Sequence, residues 1–146
     1  MKIAYVDSSV IVRRYLPGDI GHADAVALFD EPETATVSST LAHIEVSGAL
    51  VRAARHIGVR PARFLARFDA DIVGGSPLIV TVDQVPVEAD ALALVRAHGI
   101  RALDALHVAA ARIVLADLAG PGDSTVFVSR DAAQAAAAAA LGLIVG

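Results

Sequence analysis

The chain has no cysteine, which excludes disulfides, thiolate zinc sites and a cysteine nucleophile. Lysine is almost absent as well: Lys2 is the only one, and all other fixed positive charge is arginine. Aromatic residues make up 4%, so base stacking on aromatic platforms is expected to be minor. No G-x-x-x-x-G-K sequence occurs, which excludes a P-loop NTPase. The start, with one lysine and a very short apolar run, does not make a signal peptide. The alanine run after Gln134 is too short to span a bilayer. A soluble, cytoplasmic protein with no membrane segment is expected. No linker, internal repeat or charged tail interrupts the text. The 146 residues therefore read as one domain, 1–146, with enough chain for a substantial core.

Hydrophobic residues make up 55% and the mean hydropathy is +0.60, which argues against disorder. Much of that is alanine, so it reports helix propensity as well as core. The net charge is −4. That value decides little about a nucleic-acid partner, because acids gathered round a cation would be neutralised there.

Short β-rich runs alternate with helical segments. Strands are expected at Lys2–Val6, Thr34–Val37, Leu78–Val82 and Thr125–Val128, with a last short one at Leu143–Val145. Helices are expected at Ser8–Tyr15, Gly21–Asp30, Thr40–His56, from Pro61 to Gly74, at Glu88–Ala97, Leu103–Ala119 and Asp131–Leu141. This alternation predicts an α/β fold: a mostly parallel central sheet with helices on both faces.

Four acidic residues stand in otherwise apolar text: Asp7 in IAYVDSSV, Glu45 in LAHIEVSGAL, Asp104 in RALDALHVAAA and Asp131 in VFVSRDAA. Each neighbourhood reads as buried, and an isolated buried carboxylate is costly. Asp7 and Asp131 follow strands and read equally well as helix N-caps. Asp104 suits the first turn of a helix, and His107, one turn on, reads as a packed or hydrogen-bonded neighbour. Glu45 resists an ordinary explanation best. It sits inside a helix, Ala49 stands where an ion-pair partner would be, and Arg52 is two turns away. Gly48 leaves room there for another backbone or a ligand.

In a parallel sheet, strand ends and helix starts converge on one edge. Carboxylates that converge there without a lysine call for a divalent cation, and Mg²⁺ or Mn²⁺ suits an all-oxygen site better than zinc. Ser8, Ser9 and Ser129 are placed to hydrogen-bond the acids.

The arginines offer phosphate contacts. Arg13, Arg14, Arg101 and Arg130 lie near the acidic motifs, and Arg52 and Arg55 share a helix. Arg60, Arg63 and Arg67 line one face of the next, which reads equally as a solvated face. Arg13, Arg52 and Arg130 are the candidate substrate contacts.

These motifs, in this order, resemble the PIN-domain family and, within it, the VapC-type toxins of toxin–antitoxin pairs. The resemblance covers essentially the whole chain. It rests on the Asp–Ser–Ser start, the helix carrying Glu45, the RALDALHVAAA segment and the Ser129-x-Asp131 strand end. Arg130 departs from the family, where an apolar or aromatic residue is usual, and the following helix is unusually rich in alanine. The resemblance implies a PIN-like domain and a metal-dependent endoribonuclease. Asp7 and Asp104 would be the central metal ligands, with Glu45 and Asp131 completing the site directly or through water. It also implies an RNA substrate, a VapB-type antitoxin and a homodimer. The nearest alternatives are a DNA or structure-specific nuclease of the same fold and a non-catalytic RNA- or protein-binding scaffold. A phosphohydrolase using Asp7 as a covalent nucleophile fits less well, since Ser9 stands where a second acid is usual.

Overall fold

A computed structural model describes residues Met1–Gly146. Four strands form one all-parallel sheet: β1 (Lys2–Val6), β2 (Thr34–Ser39), β3 (Leu78–Val80) and β4 (Ser124–Val128), in the order β3-β2-β1-β4. β1 is central, and its run Ile3–Val6 is buried. A near-continuous apolar strand suits a sheet covered on both faces. Seven helices provide that cover: α1 (Ser8–Arg14), α2 (His22–Asp30), α3 (Thr40–His56), α4 (Ala62–Val73), α5 (Gln84–His98), α6 (Ala102–Leu118) and α7 (Ala132–Ala140).

The two-residue period of a strand divides the core. Ile3 and Tyr5 point to one face and join Val37 and Phe127 under α5, α6 and α7. Val6 joins the other face, where Ile11, Phe29, Leu50 and Phe68 belong to α1–α4. The helix α6 is buried over Val108–Ala111. An element that is apolar all round belongs in an interior. Alanine is small enough to let α6 lie close to its neighbours, and Ala137 and Ala138 of α7 are buried against the same core.

Most boundaries fall within two residues of the sequence expectation, β2 running on to Ser39 and β3 stopping at Val80, and two differ more. The helix α5 begins at Gln84 rather than Glu88, because Asp83 caps it: Oδ1 accepts from the Val85 N–H at 3.0 Å. Pro86 is tolerated because it sits in the first turn, where no backbone donor is needed. The expected strand Leu143–Val145 reduces to a single bridge between Val145 and Phe127. Two backbone hydrogen bonds hold it to β4, Phe127 N–H to Ile144 O and Gly146 N–H to Phe127 O.

The chain leaves β1 toward β2 on one side, while β4 pairs on the other with Val6 opposite Val128. The gap at the carboxyl ends of β1 and β4 is therefore where the strand order reverses. Such a point is the usual place for a binding crevice in a parallel sheet.

Candidate active site

Asp7 lies at that reversal and caps α1. Its Oδ1 accepts from Ser9 Oγ at 2.7 Å and from the Val10 N–H at 3.1 Å. Its Oδ2 accepts from Ser129 Oγ at 2.8 Å, across from the end of β4. Three donors offset much of the cost of holding this carboxylate 4% exposed. Ser129 is itself crowded. Its oxygen also accepts from the Asp131 N–H at 3.0 Å and stands 2.6 Å from Gln134 Oε1, yet it has one hydrogen to give.

Glu45 is brought in from the neighbouring strand. The helix α3 starts directly after β2, so its second turn overhangs the same edge. Ser8 Oγ donates to Glu45 Oε2 at 3.1 Å, and His107 Nε2 lies 2.7 Å from Oε1. Partial burial acts to raise the Glu45 pKa. The hydrogen bond and charge interaction with His107, and the hydrogen bond from Ser8, outweigh it and hold the carboxyl below its ordinary value.

Asp104 and His107 sit three residues apart on α6, so both project to one side of it. Asp104 Oδ2 accepts from Arg101 Nε at 3.1 Å. The same guanidinium reaches Asp131 Oδ2 at 4.0 Å. Asp131 caps α7, with Oδ1 accepting from the Gln134 N–H at 2.9 Å. The Gln134 side chain is buried and donates through Nε2 to the Asp104 carbonyl at 3.2 Å, tying α7 to α6.

All four acids line one open cleft of about 670 Å³. Of the four, only Asp7 is buried; the side chains of Glu45, Asp104 and Asp131 are 25%, 24% and 40% exposed. The apolar text round them reflects the helices' inner faces, while the acids themselves face the opening. Each serine expected to support them does so: Ser9 and Ser129 on Asp7, Ser8 on Glu45.

The arginines divide. Arg13, Arg52 and Arg101 line the cleft, and Arg130 does not. Arg130 turns away to Asp24 on α2 at 2.6 Å, because the backbone after β4 aims it at the opposite face. Arg13 is held by Asp19 at 3.2 Å and lies over Gly21, where a Cβ would come within 2.6 Å of its side chain. Gly48 leaves room for the Arg52 guanidinium, whose Nη1 is 3.2 Å from where a Cβ would stand. Arg60, Arg63 and Arg67 are solvent-exposed on or beside α4, and the Arg67 guanidinium lies 5.7 Å from the Tyr15 ring centre.

The donor set is carboxylate and hydroxyl oxygen, which suits a hard divalent cation. No three Asp, Glu or His side chains stand in the positions of a preformed cage. Each carboxylate is turned to its own local donor, and Arg101 supplies the positive charge between Asp104 and Asp131. Mg²⁺ keeps several waters and needs only one or two carboxylates directly, so the set fits such an ion without a closed cage.

Two features missed in the sequence are Gln134 and the Tyr5–His107 contact. Gln134 stands three residues after Asp131, a spacing that marks a helix start. Nothing local in Tyr5 signals its contact with His107.

Fold and cleft together define an α/β domain with an acidic crevice at the carboxyl ends of a parallel sheet. No protein-family model matches the chain, and no curated protein does. The structure is similar to that of FitAcB from Neisseria gonorrhoeae, with a TM-score of 0.61 and 17% identity, over 97% of this chain and 95% of that one. It is also similar to a toxin–antitoxin complex from Klebsiella pneumoniae, with a TM-score of 0.56 and 16% identity, over 88% of this chain and 86% of that one. At such identities the likeness is one of fold alone, and that fold is the parallel sheet flanked by helices on both faces that the alternation of strands and helices predicts. No helix is long and apolar enough to cross a membrane.

Proposed function

We propose that this protein is a divalent-metal-dependent endoribonuclease that hydrolyses RNA phosphodiesters to 5′-phosphate and 3′-hydroxyl ends, and that it is the toxin of a toxin–antitoxin pair. The observation that carries this reading is the joint lining of one cleft by Asp7, Glu45, Asp104 and Asp131, with guanidinium groups at its rim.

Asp7 and Asp104 would hold Mg²⁺ or Mn²⁺, with Glu45 and Asp131 completing the site directly or through water. When bound, the ion supplies activation of the attacking water and neutralises charge on the scissile phosphate. The chain does the rest. Ser9, Ser129 and the Val10 N–H fix both oxygens of Asp7. Glu45 or Asp131 accepts the proton of the water at a carboxylate oxygen. Arg13 and Arg52 receive phosphate oxygens and orient the backbone. Arg101, paired with Asp104 in this structure, would be free to pair with phosphate once that carboxylate held a cation. Attack by water, rather than by the 2′-hydroxyl, sets the product ends.

The likeness in fold to a toxin–antitoxin complex supports a small antitoxin of the VapB type as partner. An apolar groove of about 140 Å³ beside the cleft, lined by Leu41, Val82, Val87 and Leu106, supports a protein interface, including that of a homodimer. Ile44 borders both groove and cleft and is 74% exposed.

The test is incubation of the purified protein with RNA and with single- and double-stranded DNA, in Mg²⁺, in Mn²⁺ and in excess EDTA. Cleavage of RNA with 5′-phosphate ends, abolished by EDTA, is expected. A 2′,3′-cyclic phosphate product, or full activity in EDTA, would refute the mechanism. Cutting of DNA alone would make it a deoxyribonuclease, and binding without cutting a scaffold.

A further inference from the structure

His107 lines the cleft but is only 1% exposed, so its ring offers little surface to an ion or a polymer. Both of its nitrogens are engaged. Nε2 is 2.7 Å from Glu45 Oε1 and 3.4 Å from Ser8 Oγ, and Nδ1 is 3.3 Å from the Tyr5 hydroxyl. An ionised carboxylate offers only lone pairs, so the hydrogen of the Glu45 contact belongs to Nε2. The Tyr5 hydroxyl also lies 3.1 Å from Ser39 Oγ, at the end of β2.

Tyr5 is immobile. It sits on the central strand, fully buried and stacked on Phe127 with ring centres 5.9 Å apart. Burial pushes its pKa to about 12, so it stays a neutral hydroxyl. The imidazole ring is thus pinned at Nδ1 by the sheet and at Nε2 by the carboxylate. Glu45, by contrast, comes from a separate element and has three rotatable bonds of its own. Ser8 alone, at 3.1 Å, restrains one oxygen.

We propose that His107 is the positioning residue for Glu45: it holds the carboxylate in the cleft through Nε2 while Tyr5 holds the ring through Nδ1. The proposal rests on the nuclease reading of the cleft. It explains why Asp104 and His107 share one face of α6: a single helix delivers a candidate ligand and the support for another.

The test compares His107→Gln, which keeps a side-chain N–H, with His107→Leu, which keeps bulk and loses both donors, and with Tyr5→Phe. Each is measured for thermal unfolding, Mn²⁺ affinity by titration calorimetry, and kcat and KM on RNA. Outer partners of ligating groups are typically worth 10–100-fold. His107→Leu should therefore weaken Mn²⁺ binding and lower kcat by about tenfold or more, with KM for RNA within about twofold. His107→Gln should stay within about threefold of wild type, and Tyr5→Phe should fall between. Equal losses in the Gln and Leu variants, or a change confined to melting temperature, would overturn the proposal.

Should the wild-type protein bind no Mn²⁺ and cut no RNA, the nuclease reading falls. Positioning is then decided by NMR of the Glu45 γ protons. Distinct resonances in wild type that merge in His107→Leu uphold it, and identical spectra overturn it.

Discussion

Asp7 Oδ2 and Ser129 Oγ lie 2.8 Å apart, joining the ends of two strands 122 residues apart in sequence. This contact anchors Asp7, which lines the cleft, to the end of β4. Ser129 also accepts from the Asp131 N–H and faces Gln134 Oε1, so one hydroxyl organises Asp7, Asp131 and Gln134 together.

Ser129→Ala should therefore act at a distance from its own loss of volume. Removing a hydrogen bond to a charged group typically costs about 1.5–3 kcal/mol. Loss of about that size in urea unfolding is expected, together with a fall in cleavage. Retention of full stability would show that Asp7 finds its donors elsewhere.

Asp7→Asn keeps the capping role, since Asn is as good an N-cap as Asp. The serine hydroxyls can reverse to serve an amide, because each both donates and accepts. The variant should unfold within a few degrees of wild type while cleavage falls by about a thousandfold, the scale of losing several kcal/mol of charge stabilisation. An active Asp7→Asn protein would remove Asp7 from the centre of the site.

The Glu45 pKa lies below its ordinary value of 4.5. A carboxyl depressed in the folded state contributes stability that is complete above its ordinary, unfolded value and lost as pH falls through its folded pKa. As pH falls below that ordinary value, wild type should lose more stability than Glu45→Gln. Denaturant unfolding across that range measures it. Parallel pH profiles of the two proteins would contradict the Glu45–His107 pairing as drawn.

Arg52 lines the cleft without a carboxylate partner, whereas Arg130 is spent on Asp24. Arg52→Ala should raise KM for RNA by several-fold and make binding less steeply dependent on salt, by about one unit of slope per lost phosphate contact. Arg130→Ala should leave both nearly unchanged. The reverse ranking would relocate the polymer to the surface around Arg130 and Asp24.

The order of strands and helices was legible because its signals are local. Strand Lys2–Val6 is an apolar run, Gly99 ends α5 at a φ of 64°, and Asp7 and Asp131 cap the helices that follow them. Capping involves only a few consecutive residues, so the text around each acid is enough to read it. Glu45 stood out for the same reason: its own helix offers it no partner.

What those local signals could not reach is the company each residue keeps. Burial of Asp7 but not of Glu45, Asp104 and Asp131 follows from where the cleft opens. Arg130, next to an acid in sequence, points away from it in space, while Arg52 turns in over Gly48. The Tyr5–His107–Glu45 chain links β1, α6 and α3 over separations of 102 and 62 residues. Residue types and caps are read over a few positions, so the chain's text carries the four acids and their serines. Which of them share a charge, a hydrogen or an opening depends on β4 pairing beside β1, and that is a matter of long-range packing.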